Sequence, residues 1–169
     1  MSYLTVELKN HHKKDRFNSS NTSLNNFLKL QAKKESKQGL SKVYVLQDSS
    51  DLIIAYYTLS ASELPKEAIP DKLLKKIPDS YHGYPAILIG RLAVDEAYHG
   101  KGIGGEILVD AIKRCLDFSE KIGTSVILVD PIDKQAASFY SKFMFKSLPD
   151  SNRMLLKIDG VLRGHFNMI

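Results

Sequence analysis

A glycine-rich loop between an apolar run and an amphipathic pattern most constrains the fold of this chain. Residues 86–94, AILIGRLAV, are apolar and β-branched, which is typical of a strand buried on both faces. The loop DEAYHGKGIGG follows this run. From Ile107 to Leu116, apolar residues then recur with the spacing of one buried helical stripe. This order of strand, loop and helix, within alternating strand and helix patterns, predicts an α/β fold.

The loop has the composition of a phosphate-binding turn. Gly100, Gly102, Gly104 and Gly105 place four glycines within six residues. Glycine lets the backbone turn sharply and approach a ligand closely. The free N–H groups at the start of a helix converge on one place, which suits phosphate. A tight turn without a ligand needs fewer glycines, so a ligand-binding loop is favoured.

Three kinds of phosphate loop compete for this pattern. Gly100, Gly102 and Gly105 spell GxGxxG, the dinucleotide fingerprint, and Asp130 could imitate its ribose-binding acid. However, residues 95–99 separate the strand from the first glycine, and little chain remains for the second half of such a fold. A Walker P-loop is excluded because no Lys-Ser/Thr pair follows the glycines. The dinucleotide interpretation therefore stays open only as a minor alternative.

The third kind of loop is the one that this sequence resembles. The stretch LAVDEAYHGKGIGGEILVDAI is similar to the acetyl-CoA motif of the GNAT N-acetyltransferases, Q/R-x-x-G-x-G/A after a strand. His99 takes the Q/R position, and Gly102 and Gly104 take the two glycines. The resemblance implies that acetyl-CoA is the cofactor, with its pyrophosphate on the loop and its pantetheine arm along the strand. The residues that it implies are Leu92, Ala93, Val94, His99, Gly100, Lys101, Gly102, Ile103, Gly104 and Gly105.

A second stretch, DKQAASFYSKFMF, resembles the family pattern N-x-x-A-x-x-F-Y-x-x-x-G-F. Asp133 stands for the Asn and can also cap a helix. The resemblance implies that Ala136 and Phe139 contact the cofactor with Asp133, and that Tyr140 is the general acid that protonates the CoA thiolate. Packing of Tyr140 in an aromatic core is the alternative. Met144 replaces the family's glycine, which leaves open how the chain turns there.

The remaining segments complete the predicted fold. Strands are predicted at 2–8, 42–47, 52–60, 125–130 and 153–158. Helices are predicted after Asn18–Thr22, with Leu24, Phe27, Leu28 and Ala32 on one face, at about 71–76, and from Asp133 through Phe143. The resemblance implies one GNAT domain over residues 1–169, with a mixed, mostly antiparallel sheet that is flanked by helices and splayed at the acetyl-CoA site.

The first half of the chain carries a more particular resemblance. RFNSSNTSLNNFLKLQAKK is similar to F-D-C-G-x-x-x-L-D-x-F-L, the opening of toxin-type acetyltransferases that modify the amino acid on charged tRNA. Phe17, Asn18, Ser19 and Ser20 take its first four positions. The implied acceptor is the α-amino group of an aminoacyl-tRNA, and the implied partner is a small DNA-binding antitoxin. Basic residues that could hold the RNA backbone are Lys13, Lys14, Arg16, Lys33, Lys34, Lys37, Lys42 and Arg91.

Composition limits the other classes of protein. The formal net charge of +5 favours anionic partners. Cys115 is the only cysteine, so an internal disulfide is excluded. The sequence has neither a secretory signal nor an apolar run long enough for a membrane span, which predicts a cytoplasmic protein without membrane contact. Because the adjacent side chains of His11 and His12 diverge and have no partner cluster, no metal site is expected.

Several functional alternatives stay open at this stage. Glu63 could act as the general base, although an exposed glutamate without a catalytic role is the simpler interpretation. The acceptor could instead be a small-molecule amine, a polyamine or a protein amine. The chain could also be a non-catalytic CoA-binding module, and the sequence leaves a homodimer open.

Overall fold

The computed structural model describes residues 2–69, 71–73 and 75–167. Among them, seven strands form one sheet in the order β1-β2-β3-β4-β5-β7-β6. The strands are β1 Val6–Glu7, β2 Lys42–Gln47, β3 Ile53–Pro65, β4 Gly83–Val94, β5 Val126–Val129, β6 Lys146–Ser147 and β7 Met154–Lys157. The pairs β1–β2, β2–β3, β5–β7 and β6–β7 are antiparallel. The predicted α/β fold with a mainly antiparallel sheet is confirmed, whereas its splay stays a prediction.

The described helices are α1 Thr22–Asn26, α2 Ala32–Lys37, α3 Ile103–Ser119, α4 Lys134–Ser141 and α5 Gly160–Asn167. A π-helical segment, Phe27–Gln31, joins α1 to α2, and single 3₁₀ turns lie at Lys66–Ala68 and Glu96–Tyr98. No described helix is long and apolar enough to cross a membrane.

The chain divides into two compact units. The first comprises Met1–Ser60 and Ile89–Arg114, and the second comprises Ala61–Leu88 and Cys115–Ile169. The core of the first unit includes Phe17, Phe27, Leu28, Val43, Val45 and Tyr56. The core of the second unit includes Leu64, Tyr84, Ala86, Val126, Leu128, Leu148 and Leu155. Each unit therefore has an apolar core of its own.

Helix α3 follows its sequence pattern closely. The six apolar residues of its predicted stripe are all buried, with exposed fractions of 0–7%: Ile107, Leu108, Ala111, Ile112, Cys115 and Leu116. The helix begins at Ile103, within the predicted loop, so that Gly104 and Gly105 lie in its first turn. The loop therefore leads directly into the first turn of the longest described helix.

The amino-terminal strand differs from its prediction. Only Val6–Glu7 forms a strand, not the whole of residues 2–8. Burial in this segment does not follow the alternation of apolar and polar residues, because Thr5 is 2% exposed whereas Leu4 and Val6 are 46% and 49% exposed. Thr5 turns inward because its hydroxyl hydrogen-bonds to the buried carboxylate of Asp110.

Two helix predictions were wrong in position. The expected helix at 71–76 is not formed over its described residues, and a 3₁₀ turn lies earlier, at Lys66–Ala68; Leu74 lies outside the described residues. The carbonyl of Lys75 accepts from the Tyr84 hydroxyl at 2.9 Å, which connects this segment to β4. Helix α4 ends at Ser141 and excludes Phe143, because the chain turns at Met144 with a φ of 69°.

Candidate active site

The predicted cofactor loop has the backbone that its glycines suggest. Gly100 and Gly102 adopt φ values of 73° and 81°, in the left-handed region that L side chains rarely adopt. At both positions a Cβ atom would meet nothing within 4 Å, so open space lies beside the backbone. The first amides of α3, from Ile103 onward, have no carbonyl partner within their own helix. An exposed glycine backbone and a helix start therefore fit the phosphates of a nucleotide cofactor.

His99 closes this loop onto the preceding strand. Its Nε2 atom lies 2.8 Å from the carbonyl oxygen of Val94, the last residue of β4. Between them, the Asp95 carboxylate accepts from the backbone N–H of Ala97 at 3.0 Å and caps the 3₁₀ turn. The histidine thus bonds within the loop itself. The end of β4 and the start of α3 are thereby joined by a short, internally bonded connection.

The strand residues predicted for the pantetheine arm lie in the same unit. Ala93 is buried, whereas Leu92 and Val94 are half-buried. Beside them, the Arg91 guanidinium lies 3.7 Å from the centre of the Phe27 ring and 3.9 Å from a Glu35 carboxylate oxygen. Arg91 is held by these two contacts, and a role in RNA binding stays a prediction.

The second predicted group lies on α4, in the second unit. Asp133 caps this helix, since its Oδ1 accepts from the Ala136 N–H at 2.7 Å, as predicted. Ala136 and Phe139 are half-buried. These residues stand where the family pattern requires them along the helix, and their contact with a cofactor stays a prediction.

Tyr140 is 8% exposed and packs in an aromatic cluster. Its ring centre lies 5.2 Å from that of Phe139 and 5.6 Å from that of Phe145, both in edge-on geometry. Burial raises the pKa of its hydroxyl to about 12, because the tyrosinate would be poorly solvated there. No group in the described part of the chain hydrogen-bonds that hydroxyl. The side chain is therefore packed as a core aromatic and also keeps a protonated donor.

Two turns are kept where the family patterns have glycine and this chain does not. Met144 follows α4 with a φ of 69°, and Ser20 precedes α1 with a φ of 67°. After α4, the backbone N–H of Phe145 donates to the carbonyl of Tyr140 at 3.4 Å. At both positions the backbone is left-handed at residues that adopt this conformation at a cost.

A buried polar network in the first unit was not predicted. The Asp110 carboxylate accepts from the Tyr57 hydroxyl at 2.8 Å and from the Leu4 N–H at 2.6 Å. Arg114 donates through Nε to the Tyr57 oxygen at 2.9 Å, and through its guanidinium to the Thr5 carbonyl at 3.1 Å. Burial raises the pKa of Tyr57, which keeps its hydroxyl a donor. An Asp and an Arg four residues apart beside an apolar stripe were the available sequence signal.

The sequence suggested a ribose-binding role for Asp130 and a general-base role for Glu63, and the structure shows what each side chain contacts. Asp130 forms a bidentate ion pair with Arg153, with N–O distances of 2.7 and 2.8 Å. Both of its carboxylate oxygens therefore already accept a hydrogen bond from the arginine. Glu63 is exposed, and its Cγ would lie 2.6 Å from a Cβ built on Gly83. Gly83 thus makes room for the Glu63 side chain, and the role of Glu63 as a base stays a prediction.

The chain belongs to the GNAT family of acetyltransferases, since residues 39–147 match the family model described as an acetyltransferase (GNAT) domain. The protein is thus an acetyl-CoA-dependent N-acetyltransferase by class. This assignment confirms the resemblance to the GNAT family and decides against the dinucleotide alternative.

Two curated relatives have names that are more specific than the family description. The chain is 32% identical over 133 residues to a tRNA-acetylating toxin of Mycobacterium tuberculosis (strain ATCC 25618 / H37Rv), which covers 79% of this chain and 78% of that protein. It is 30% identical over 159 residues to the probable toxin TacT of Sinorhizobium fredii (strain NBRC 101917 / NGR234), which covers 88% and 87%.

Solved structures share the fold. AtaT complexed with acetyl-methionyl-tRNAfMet superposes with a TM-score of 0.83 at 23% identity, over 92% of this chain and 95% of that one. A tyrosine-to-phenylalanine mutant of the toxin AtaT, bound to the C-terminus of the antitoxin AtaR and acetyl-CoA, gives a TM-score of 0.79 at 19% identity, over 99% of both chains. At this level of identity, these structures establish the shared fold.

Proposed function

We propose that this protein acetylates the α-amino group of an aminoacyl-tRNA. The observation that carries the proposal is the 32% identity to a tRNA-acetylating toxin across 79% of the chain. The opening segment supports it, because Ser20 keeps the left-handed turn at the glycine position of the toxin-type pattern. The acceptor is thus a primary amine on the 3′ end of an RNA.

The residues that would hold the pyrophosphate and the pantetheine arm of acetyl-CoA lie in the glycine loop and at the end of β4. The loop His99–Gly105, whose last three residues form the first turn of α3, would bind the pyrophosphate through backbone N–H groups. Leu92, Ala93 and Val94 would orient its pantetheine arm. When bound, acetyl-CoA supplies an acetyl thioester whose carbonyl carbon accepts the amine.

The protein's own contribution to the reaction is positioning and proton transfer. A backbone N–H in the segment Leu92–Val94 would stabilise negative charge on the carbonyl oxygen. The attacking amine must be neutral, and it loses one proton as the C–N bond forms. Tyr140 is protonated at neutral pH, and burial raises its pKa further, to about 12; it would give its proton to the departing sulfur as the C–S bond breaks. General acid catalysis of this kind contributes about 10²–10⁴-fold.

Besides acetyl-CoA, the protein would bind tRNA and an antitoxin. Exposed lysines on α2, namely Lys33, Lys34 and Lys37, would contact the RNA backbone. A small DNA-binding antitoxin would bind the protein, as supported by the similar fold of AtaT with its antitoxin peptide. The protein would act in the cytoplasm, where aminoacyl-tRNA is used.

We also propose that residues 1–169 act as one acetyltransferase domain. Strands β3 and β4 and helix α3 each continue from one compact unit into the other. Because three continuous elements are shared, we expect a single unfolding transition in which the calorimetric and van't Hoff enthalpies agree. Two separate transitions would contradict the proposal.

The acceptor is tested with labelled acetyl-CoA and total tRNA, charged in one reaction and deacylated in the other. We expect label only on the charged tRNA, released together with the amino acid by mild alkali. The Tyr140→Phe variant should transfer label far more slowly to the same acceptor. Transfer to polyamines or peptides, with none to charged tRNA, would move the function to another amine and keep the family assignment.

A further inference from the structure

A single carboxylate joins the segment before α1 to the turn that opens the cofactor loop. The Nδ2 of Asn18 donates to Oε1 of Glu96 at 2.9 Å, and the Oγ of Ser20 donates to Oε2 of Glu96 at 2.8 Å. Backbone contacts run beside them, since Glu96 N donates to the Asn18 carbonyl at 2.8 Å and Asn18 N donates to Asp95 at 2.9 Å. We call Asn18, Ser20 and Glu96 the clasp.

One end of the clasp is fixed to helix α1. The Oδ1 of Asn18 accepts from the Ser20 N–H at 3.1 Å and from Nδ2 of Asn25 at 2.9 Å. Asn25 lies in α1 and also accepts from the N–H of Ser19 at 2.8 Å. Any displacement of Asn18 or Ser20 is therefore transmitted to the first helix.

The other end is fixed to the cofactor loop. Glu96 begins the 3₁₀ turn Glu96–Tyr98, and its carbonyl accepts from the His99 N–H at 3.2 Å. His99 in turn reaches the Val94 carbonyl, and Gly100 and Gly102 follow. The clasp thus holds the turn from which the glycine loop starts.

The chemistry of the clasp needs an amide at position 18. The side chain there must donate to a carboxylate on one side and accept from two N–H groups on the other. An aspartate could accept but not donate, and it would place a carboxylate oxygen about 2.9 Å from Glu96 Oε1. Asparagine satisfies both requirements.

We infer that Glu96 is a positioning residue for acetyl-CoA binding, acting through the clasp, which orders the glycine loop and helix α1 together. The inference rests on the proposed function, because it takes the glycine loop as the acetyl-CoA site. Cofactor binding would then also order the first helix. The clasp itself touches no reacting atom.

The test exchanges the amide of Asn18 and the carboxylate of Glu96. Asn18→Asp should break the clasp and raise KM for acetyl-CoA about fivefold with kcat little changed. Glu96→Gln should be nearly silent, because glutamine can accept from Asn18 and donate to Ser20 Oγ. Asn18→Asp combined with Glu96→Gln should restore KM to within about twofold, since the glutamine amide then donates to the aspartate. Asn10→Asp, at another exposed asparagine, adds the same charge as a control and should leave KM unchanged.

Hydrogen–deuterium exchange gives a readout that needs no cofactor. In the unliganded protein, amides of residues 100–103 and of α1 should exchange faster in Asn18→Asp and recover in the double variant. With acetyl-CoA, protection of α1 should appear in the wild type and be lost in Asn18→Asp. Ser20→Ala, which removes one donor and adds no charge, should give a smaller effect in the same direction and covers the case in which Asn18→Asp does not fold.

The outcomes separate the two proposals. Wild-type transfer with unchanged KM and exchange in Asn18→Asp and Ser20→Ala would overturn the clasp and leave the proposed function standing. An exchange pattern that follows the swap, in a protein that does not bind acetyl-CoA, would show that the clasp orders the loop and α1 but would overturn both the proposed function and the role of Glu96 in cofactor binding. Failure of the double variant to recover would also overturn the clasp.

Discussion

At the scale of single residues, Tyr140 combines burial with a hydroxyl that stays protonated. Its ring packs between Phe139 and Phe145, and the burial that fixes the ring also raises its pKa to about 12. An ordinary tyrosine ionises near pH 10. The folded protein therefore keeps this group as a proton donor over the whole range in which an amine acceptor becomes neutral.

The pH dependence of transfer follows from these two ionisations. An α-amino acceptor has a pKa of about 7.7–8.0, so the rate should rise as pH increases through that range. Tyr140 acts in its protonated form, so it should cause no decline until the pH approaches 12. In Tyr140→Phe we expect kcat to fall about 10²-fold or more, with the same rising limb. The measurement is a single-turnover pH profile.

A spectroscopic titration provides the control. Tyrosinate absorbance of the wild type minus that of Tyr140→Phe should show no ionisation between about pH 9 and 11, because an unshifted tyrosine would titrate there. A difference centred near pH 10 would contradict the raised pKa and remove this explanation of the pH profile.

The left-handed residue after α4 provides a prediction for stability. Met144 is 43% exposed and has a φ of 69°, where glycine carries no steric cost. We expect Met144→Gly to stabilise the protein by about 1 kcal/mol, measured by denaturant unfolding. The matched change Lys142→Gly, at a residue with a φ of −65°, should destabilise it instead. Equal effects of the two substitutions would contradict the argument.

The sequence could predict features that depend on contacts between residues close together in the chain. The Asp133 cap and the glycine turns depend on neighbours within a few residues, and the structure confirms the cap and the conformation of Gly100 and Gly102. The clasp joins Asn18 to Glu96, which lie 78 residues apart. Periodicity carries no information about such a contact, so the sequence could not predict it.

At the scale of elements, α3 has two functions on one helix. Its first turn follows the glycine loop, and its middle carries Asp110 and Arg114 in a buried network. The Arg114 guanidinium also lies 3.7 Å from the Tyr3 ring centre and 4.0 Å from that of Tyr44. The network fixes the amino-terminal segment to the helix that begins in the glycine loop.

Removing the carboxylate from this network should be costly. Asp110→Asn leaves the Arg114 charge, whose side chain is only 11% exposed, without its counterion. We expect a loss of about 3 kcal/mol in the free energy of unfolding. Glu120→Gln breaks an exposed pair with Arg163 and should cost about 0–1 kcal/mol. A loss below 1 kcal/mol in Asp110→Asn would show that the network contributes little.

Elements with strong periodicity were predicted well, and elements set by tertiary contacts were not. Strand β2 matches the predicted 42–47, and the α3 stripe is buried as expected. The first strand was predicted too long, and Thr5 is buried beside a distant carboxylate although the alternation of apolar residues does not mark it as a core position. Helix α5 had no predicted counterpart, since residues 159–169 show no clear pattern.

At the scale of the whole molecule, the excess of positive charge should control affinity for RNA. The chain has 24 Lys and Arg against 19 Asp and Glu. Each phosphate contact contributes about 0.7–0.9 to the slope of log affinity against log salt. Binding of aminoacyl-tRNA should therefore weaken steeply as salt is raised.

The lysines of α2 make this prediction specific. Replacing Lys33, Lys34 and Lys37 by glutamine should reduce the salt slope by about 2, measured by filter binding with charged tRNA. Replacing Lys72, Lys76 and Lys121, which are also exposed, changes the net charge equally and should leave the slope nearly unchanged. Equal slopes for the two triple variants would place the RNA contact elsewhere.

The long separation between Leu4 and its partner Asp110, 106 residues, bears on how the protein is made. On the ribosome, the amino-terminal segment emerges long before the helix that fixes it, and the glycine loop emerges shortly before that helix. A nascent chain therefore has no complete glycine loop until synthesis has passed residue 105. Translation products that end before that residue should lack the loop, and we expect them to transfer no acetyl group.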